Sequence, residues 1–331
     1  MYLVKKIDMS LQHAKFSFFG LILVGMGLAG CETTINPELQ YAEPILVVDA
    51  WISNKPGNQQ IVLTKTQNYF DSSTPPAVSG AVVTVTDNNG TVFTFNEDTN
   101  APGKYVWKPV ANETFGTIGN TYQLSIQAEG QTYKSTSKMN KTTVVDSIIL
   151  KKNEPTQINP DFYRAQFYAK DLVGFGDTYW IRAYKNGALL NKPSDINVAY
   201  DAGFSGGGGF SSRIEKKPNG QDTTILLDFI PPIRGRINPN DTDANDTALS
   251  PYVPGDSVYV EINSITLEAF TYLQQVSIQT NRPGGFSELF ARPIANVPTN
   301  IENVDPKGKA AIGFFNVGAV SGKGQKLQVK N

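Results

Sequence analysis

The chain contains a single cysteine, Cys31, and the residues ahead of it determine the chemistry open to its thiol. Leu28-Ala29-Gly30 precede it directly. Phe18, Phe19, Leu21, Ile22, Leu23 and Val24 lie in an apolar run from Phe16 to Gly30, and Lys5, Lys6 and Lys15 make the start basic. The run is shorter than the about 20 apolar residues of a membrane span. A basic start, a short apolar stretch and a small-small-Cys ending make the pattern of a bacterial lipoprotein signal. The expected chemistry is cleavage after Gly30 and acylation of Cys31, so that residues 1–30 are a signal peptide and the chain holds a membrane through its lipid.

Other constellations are less specific. Asp241, Asp243 and Asn245 follow the Asp-x-Asp-x-Asn spacing of calcium loops, in which alternate side chains turn into one cation. The pattern departs where Asp246 replaces the turn glycine and Tyr252 the closing Glu, so a polar surface loop is the simpler reading. Asp246-Thr247-Ala248 in the same stretch resembles a bacterial O-glycosylation acceptor, with Thr247 as the modified residue. A glycan there competes with a calcium loop for the same backbone. Ser205 to Gly209 is glycine-rich but lacks the Lys and Ser/Thr of a phosphate cradle. Tyr200, Phe204 and Phe210 flank it, and two readings stay open: aromatics that grip a ligand at a loop, or aromatics that pack on the domain. Glu261 in a strand and Glu268 in a helix do not single out a catalytic pair.

Several classes are excluded outright. The one histidine, His13, lies inside the signal segment, as do Lys5, Lys6, Lys15 and Asp8. Beyond Gly30 the chain has neither imidazole nor a second thiol, which rules out Ser-His-Asp and Cys-His catalysis and His/Cys zinc sites. The remaining chain carries 26 basic and 29 acidic side chains, and so near-neutral a balance gives no reason to expect nucleic acid as a partner. No cofactor is expected, calcium at Asp241, Asp243 and Asn245 being the one candidate.

The elements that must position these residues are mostly strands. Glycine, proline and aromatic residues are abundant while the charged fraction is 18%. Residues 31–44, polar and holding Pro37 and Pro44, read as a tether. Residues 45–140 alternate apolar and polar residues over seven short strands, with a hairpin turn at Asn88-Asn89-Gly90, which predicts an immunoglobulin- or transthyretin-like β-sandwich. Residues 141–331 predict a second β-rich domain with long loops over Asn191–Gly220 and Pro231–Gly255, a hairpin from Phe162–Asp171 to Asp177–Tyr184 through Leu172–Gly176, and one helix, Ile265–Thr280. Asn263 or Ser264 is the expected cap, Ala310–Val317 the last strand, and the basic tail with Lys323, Lys326 and Lys330 is expected to be solvated.

Val78-Ser79-Gly80-Ala81-Val82-Val83-Thr84-Val85-Thr86-Asp87, with Gly90 and Gly103-Lys104-Tyr105, is similar to carboxypeptidase regulatory-like sandwich modules, which carry no catalytic residue. Together with Leu46 to Ile52, Val62-Leu63, Ala295 to Ile301 and Ile312-Gly313-Phe314-Phe315, it resembles the family called domain of unknown function 4249, lipoproteins of Bacteroidetes-type bacteria. That resemblance implies a non-enzymatic outer-membrane lipoprotein, at the cell surface or on the periplasmic face, working as an accessory or lid-like partner of a SusC-like TonB-dependent transporter in nutrient uptake. A surface glycosidase built on carboxylates and a structural or adhesin-type envelope protein are the alternatives.

Overall fold

The computed structural model describes residues 42–68, 71–111, 113–152, 163–201, 203–204, 213–216, 222–225, 233–237, 252, 254–282 and 295–328. Residues Glu43–Asn331 cluster as one compact unit. The fold is mainly β with one α-helix among the described residues. Its strands are β1 (Leu46–Ser53), β2 (Gln59–Lys65), β3 (Val82–Asp87), β4 (Val92–Asp98), β5 (Ala101–Trp107), β6 (Thr121–Ala128) and β7 (Gln131–Lys138), then β8 (Val145–Lys152), β9 (Tyr163–Ala169), β10 (Thr178–Lys185), β11 (Ala188–Leu189), β12 (Asn197–Tyr200) and β13 (Gly203–Phe204). There follow β14 (Arg213–Lys216), β15 (Asp222–Ile225), β16 (Ile233–Ile237), β17 (Ser257–Ile265), helix α1 (Leu267–Thr280), β18 (Glu302–Asn303), β19 (Ala311–Gly318) and β20 (Val320–Lys326).

A nine-stranded sheet runs in the order β18-β7-β6-β3-β4-β5-β2-β1-β19. Strand β4 pairs with β3 through Val92–Phe95 and with β5 through Asn96–Asp98, with a register shift between Glu97 and Asp98, so one strand belongs to both halves of the sheet. The far ends approach again, where the Val317 amide donates to Ser137 Oγ at 3.0 Å. The expected sandwich is therefore drawn as one large, nearly closed, barrel-like sheet around a single core. Alternation puts Val48, Ala50 and Ile52 of β1, Ile61 and Leu63 of β2, and Leu124 and Ile126 of β6 into that core. Phe115 fills its centre, packed against Phe93, Trp107 and Tyr122.

The pattern Val78 to Tyr105 is explained by a clamp in this sheet. The Glu97 carboxylate accepts from the Gly80 amide at 2.8 Å and the Gly103 amide at 2.9 Å. The buried Tyr105 hydroxyl donates to the Val78 carbonyl and accepts from the Ala81 amide, both at 2.9 Å. These residues hold two turns against each other.

A second sheet runs β13-β12-β10-β17-β20 with β11 on β10, and a three-stranded sheet β16-β9-β8 covers it. The expected hairpin between β9 and β10 does not form. Ala165, Phe167 and Ala169 of β9 and Tyr179 and Ile181 of β10 fill one core from opposite sides, so Leu172–Gly176 carries the chain between layers. The Asp171 carboxylate, buried at that crossing, accepts from the Tyr179 hydroxyl at 2.6 Å. The expected loop Asn191–Gly220 contains β12, β13 and β14, and the expected loop Pro231–Gly255 contains β16. Lys323 and Lys326 of the basic tail are exposed on strand β20, which pairs antiparallel with β17 from Asn263 to Ser257, and Lys330 lies outside the described residues.

The last strand was expected in the C-terminal unit. Instead β19 pairs parallel with β1, from Leu46↔Ala311 to Ser53↔Gly318. Ala319 alone separates β19 in the first sheet from β20 in the second, so one stretch of chain passes through both. The crossing is tight: a Cβ on Gly318 would lie 2.0 Å from the Ser264 carbonyl oxygen. The Ser264 hydroxyl also accepts from the Ala319 amide at 2.8 Å.

Candidate functional site

In β1 the side chains alternate. Val48, Ala50 and Ile52 enter the first core, and Asp49 and Trp51 point the other way. In β10, Tyr179 and Ile181 enter the second core, while Trp180, Arg182 and Tyr184 occupy the opposite face. Those two outward faces meet. Trp51 and Trp180 touch edge to face with centroids 4.9 Å apart, and Trp51 stacks on Phe314 of β19 at 5.7 Å. Helix α1 closes this end by inserting Ala269, Phe270 and Leu273. It begins two residues later than expected because Thr266, not Asn263 or Ser264, caps it, accepting the Ala269 amide at 3.2 Å. Asn263 and Ser264 are buried inside β17.

The other end of the layer is ionic. Glu261 of β17 is only 1% exposed, and its register partner on β10 is Arg182. The carboxylate pairs with Lys55 from the β1–β2 turn and accepts the Tyr184 hydroxyl at 2.9 Å. Lys55 Nζ lies over the rings of Tyr184 and Tyr259, 5.5 and 5.6 Å from their centroids. Tyr259 lies flat across β20, where a Cβ on Gly322 would come within 2.1 Å of its hydroxyl. Burial pushes the Tyr184 hydroxyl up to about 12; the Arg182 charge opposes the rise and the Glu261 carboxylate adds to it.

Between the aromatic end and the ionic end the faces do not close. A recess of about 310 Å³ remains, with Asp49 and Trp51 on one wall, Trp180 and Arg182 on the other, and Leu189 to Ile196 across the opening. The size is at the lower end of small-molecule sites, about 300–1,000 Å³. Asp49 keeps solvent access although protein crowds it, and this crowding raises its carboxyl above the ordinary aspartate value. The Arg182 charge and the Trp51 indole work against the rise. No ion pair closes between Asp49 and Arg182 among the described contacts. The Arg182 guanidinium lies 5.0 Å from the Trp180 ring centroid, and its Nε is buried without a hydrogen-bond partner. A buried donor left unpaired costs about 1–3 kcal/mol, which a ligand acceptor would recover.

A second hollow, about 640 Å³, lies over the outer faces of β2, β4 and β5 between Gln60, Asn96 and Lys104. No buried polar atom without a partner lines it.

Most residues singled out from the sequence are not among those described. Cys31, Asp241, Asp243, Asn245, Thr247 and Phe210 lie outside the described residues, and of Phe204 only the backbone is described, in β13. Tyr200 is half-buried beneath α1, its ring 6.0 Å from that of Phe270. Among the described residues no group of three or more Asp, Glu, His or Cys could hold a metal. The residues that do converge were not singled out as a site. Their signal is a single charge two positions from an aromatic residue in a largely apolar strand: Asp49 before Trp51, Arg182 after Trp180, Glu261 after Tyr259.

Comparison with known families decides one point. The family described as domain of unknown function 4249 matches residues 32–323. This chain belongs to that family. The match spans both sheets and every residue of the recess. No curated protein matches the chain. No described helix is long and apolar enough to cross a membrane.

Proposed function

We propose that this family member is a lipid-anchored, non-catalytic binding protein of the bacterial outer membrane. Cys31 carries the anchor, the chain faces the cell surface, and it works beside a SusC-like TonB-dependent transporter as an accessory that captures a small nutrient. The observation that supports capture is the recess between the sheets, lined by Asp49, Trp51, Trp180 and Arg182, with the Arg182 Nε buried and without a hydrogen-bond partner. Asn191, Lys192, Asp195 and Ile196, at the start of the first long loop expected from the sequence, also line it. The Lys55 contact and near-complete burial remove Glu261 from substrate chemistry.

The test is affinity purification of the full chain from detergent-solubilised outer membrane, with partners identified by mass spectrometry. A transporter of the β-barrel class is expected to co-purify, and Cys31→Ala is expected to move the chain out of the membrane fraction. Retention of Cys31→Ala in membranes lacking the transporter overturns the anchor, and absence of any barrel transporter overturns the partnership.

A second reading, a carboxylate-based glycosidase, draws on Asp49 and Asp195 facing the same recess, with Asp49 raised as a general acid requires. Release of reducing sugar by the wild-type chain and not by Asp49→Asn would decide for it.

A further inference from the structure

We infer that the recess takes a neutral saccharide ring, held by Arg182 and Asp49 at its polar edge and by Trp51 and Trp180 at its apolar face. The inference deepens the capture reading and rests on it.

The argument proceeds by elimination over ligand chemistries. The charged side chains lining the recess are Asp49 and Asp195 against Arg182 and Lys192, so they balance. A phosphate or another strong anion would meet two carboxylates together with the two cations, and a metal or polyamine the reverse; neither is favoured. A purely apolar ligand would strip water from the Asp49 carboxylate and leave Arg182 Nε without a partner, so a ligand able to hydrogen-bond is favoured.

A sugar ring meets each of these demands. Each hydroxyl both accepts and donates, so neighbouring hydroxyls pair with the guanidinium on one side and the carboxylate on the other. The gap between Asp49 and Arg182, across which no ion pair closes, is what such a pair of hydroxyls would fill. Gln60 and Asn191 add amides that can donate and accept at the same edge. The ring's C–H faces are apolar and suit indole walls, where weak C–H contacts to the aromatic surface add to burial. The two indoles meet at an interplanar angle of 61°, making a corner rather than a flat platform. A corner favours a ring end inserted into the recess over a long chain lying across it. Leu189, Leu190 and Ile196 complete the apolar side. An amino-acid zwitterion shares the charge balance, and its ammonium and carboxylate can also pair with Asp49 and Arg182, so amino acids are the competing class in the test.

Two of the three tryptophans of the chain line the recess, so their emission reports occupancy directly. The full-length chain in detergent is titrated with neutral disaccharides of glucose, galactose, mannose and xylose, and separately with mixed amino acids and with inorganic phosphate. Emission and heat of binding are both followed. At least one disaccharide is expected to saturate. Arg182→Lys and Asp49→Asn are expected to weaken it at least tenfold while the melting temperature stays near that of the wild type, and Lys104→Ala, in the second hollow, is expected to leave it unchanged. Saturation by amino acids or phosphate alone overturns the saccharide class and leaves the capture reading standing. Disaccharide binding insensitive to both recess variants overturns the site. No saturation by any probe, from a chain that still co-purifies with its transporter, overturns the inference alone.

Discussion

The two faces of β1 are built on opposite principles, although the same eight residues carry both. Toward the first core, Val48, Ala50 and Ile52 meet a closed aromatic and aliphatic packing in which Tyr105 and Tyr122, buried phenols, each find backbone partners. Toward the second sheet, Asp49 and Trp51 meet charges and rings, and the packing stops short of closure. Stability resides on the first face and adaptable chemistry on the second. A polar layer between two finished cores can leave groups unpaired because neither core depends on it.

If that division holds, the largest single loss comes from the first core. Phe115→Ala removes a fully buried ring packed against Phe93, Trp107 and Tyr122 and should cost about 3–5 kcal/mol, read as a lower urea midpoint. Ligand affinity of the fraction still folded should not change.

The interlayer should respond less. Lys55→Met strands a buried Glu261 carboxylate with Tyr184 as its described hydrogen-bond partner, an expected loss of about 1–3 kcal/mol, reduced from a fully buried pair because Lys55 is half-exposed. Adding Glu261→Gln should restore part of it. A double-mutant cycle with no coupling would mean that the pair contributes nothing, and the interlayer would then be held by its aromatic end alone.

The smallest effect has a sign rather than a size. The folded Asp49 carboxyl keeps its proton to a higher pH than the unfolded one. The folded state therefore binds more protons in the window above the ordinary aspartate value of about 3.8, and stability contributed there is lost as pH rises through the raised value. Asp49→Asn should remove this loss and be slightly more stable than wild type at pH 7, with no difference below pH 3. Glu97 titrates in the opposite sense, its carboxylate held low by the Gly103 and Gly80 amides, so the comparison is between variant and wild type at each pH rather than along one curve. A variant less stable than wild type at pH 7 would place Asp49 among the residues that hold the fold together.

The first sheet was readable from its period-two pattern because each strand has one face in a core. Thr121 to Ala128 alternates in the sequence as it does in the structure, and Asn88-Asn89-Gly90 turns as its residue types require. The helix was legible from its spacing, and its cap lies two or three residues further on because β17 runs on to Ile265. What could not be read was which face meets which. Ala311–Gly318 was recognisable as a strand, but its parallel partner lies more than 250 residues away, and no local signal encodes that register. The recess depends on that pairing. Asp49, Arg182 and Glu261 come from three strands far apart in the chain, so each looked like an ordinary surface charge until the sheets were in place.

The parallel pairing of β1 with β19 has a mechanical consequence. Tension on the chain ahead of Leu46 acts along β1, and the hydrogen bonds to β19 and β2 lie across that direction, so they are loaded together in shear rather than opened one after another. Strand β19 continues through Ala319 into β20, and the covalent backbone hands the same load to the second sheet. A pull delivered at the N-terminal edge is thus shared by the two sheets that wall the recess.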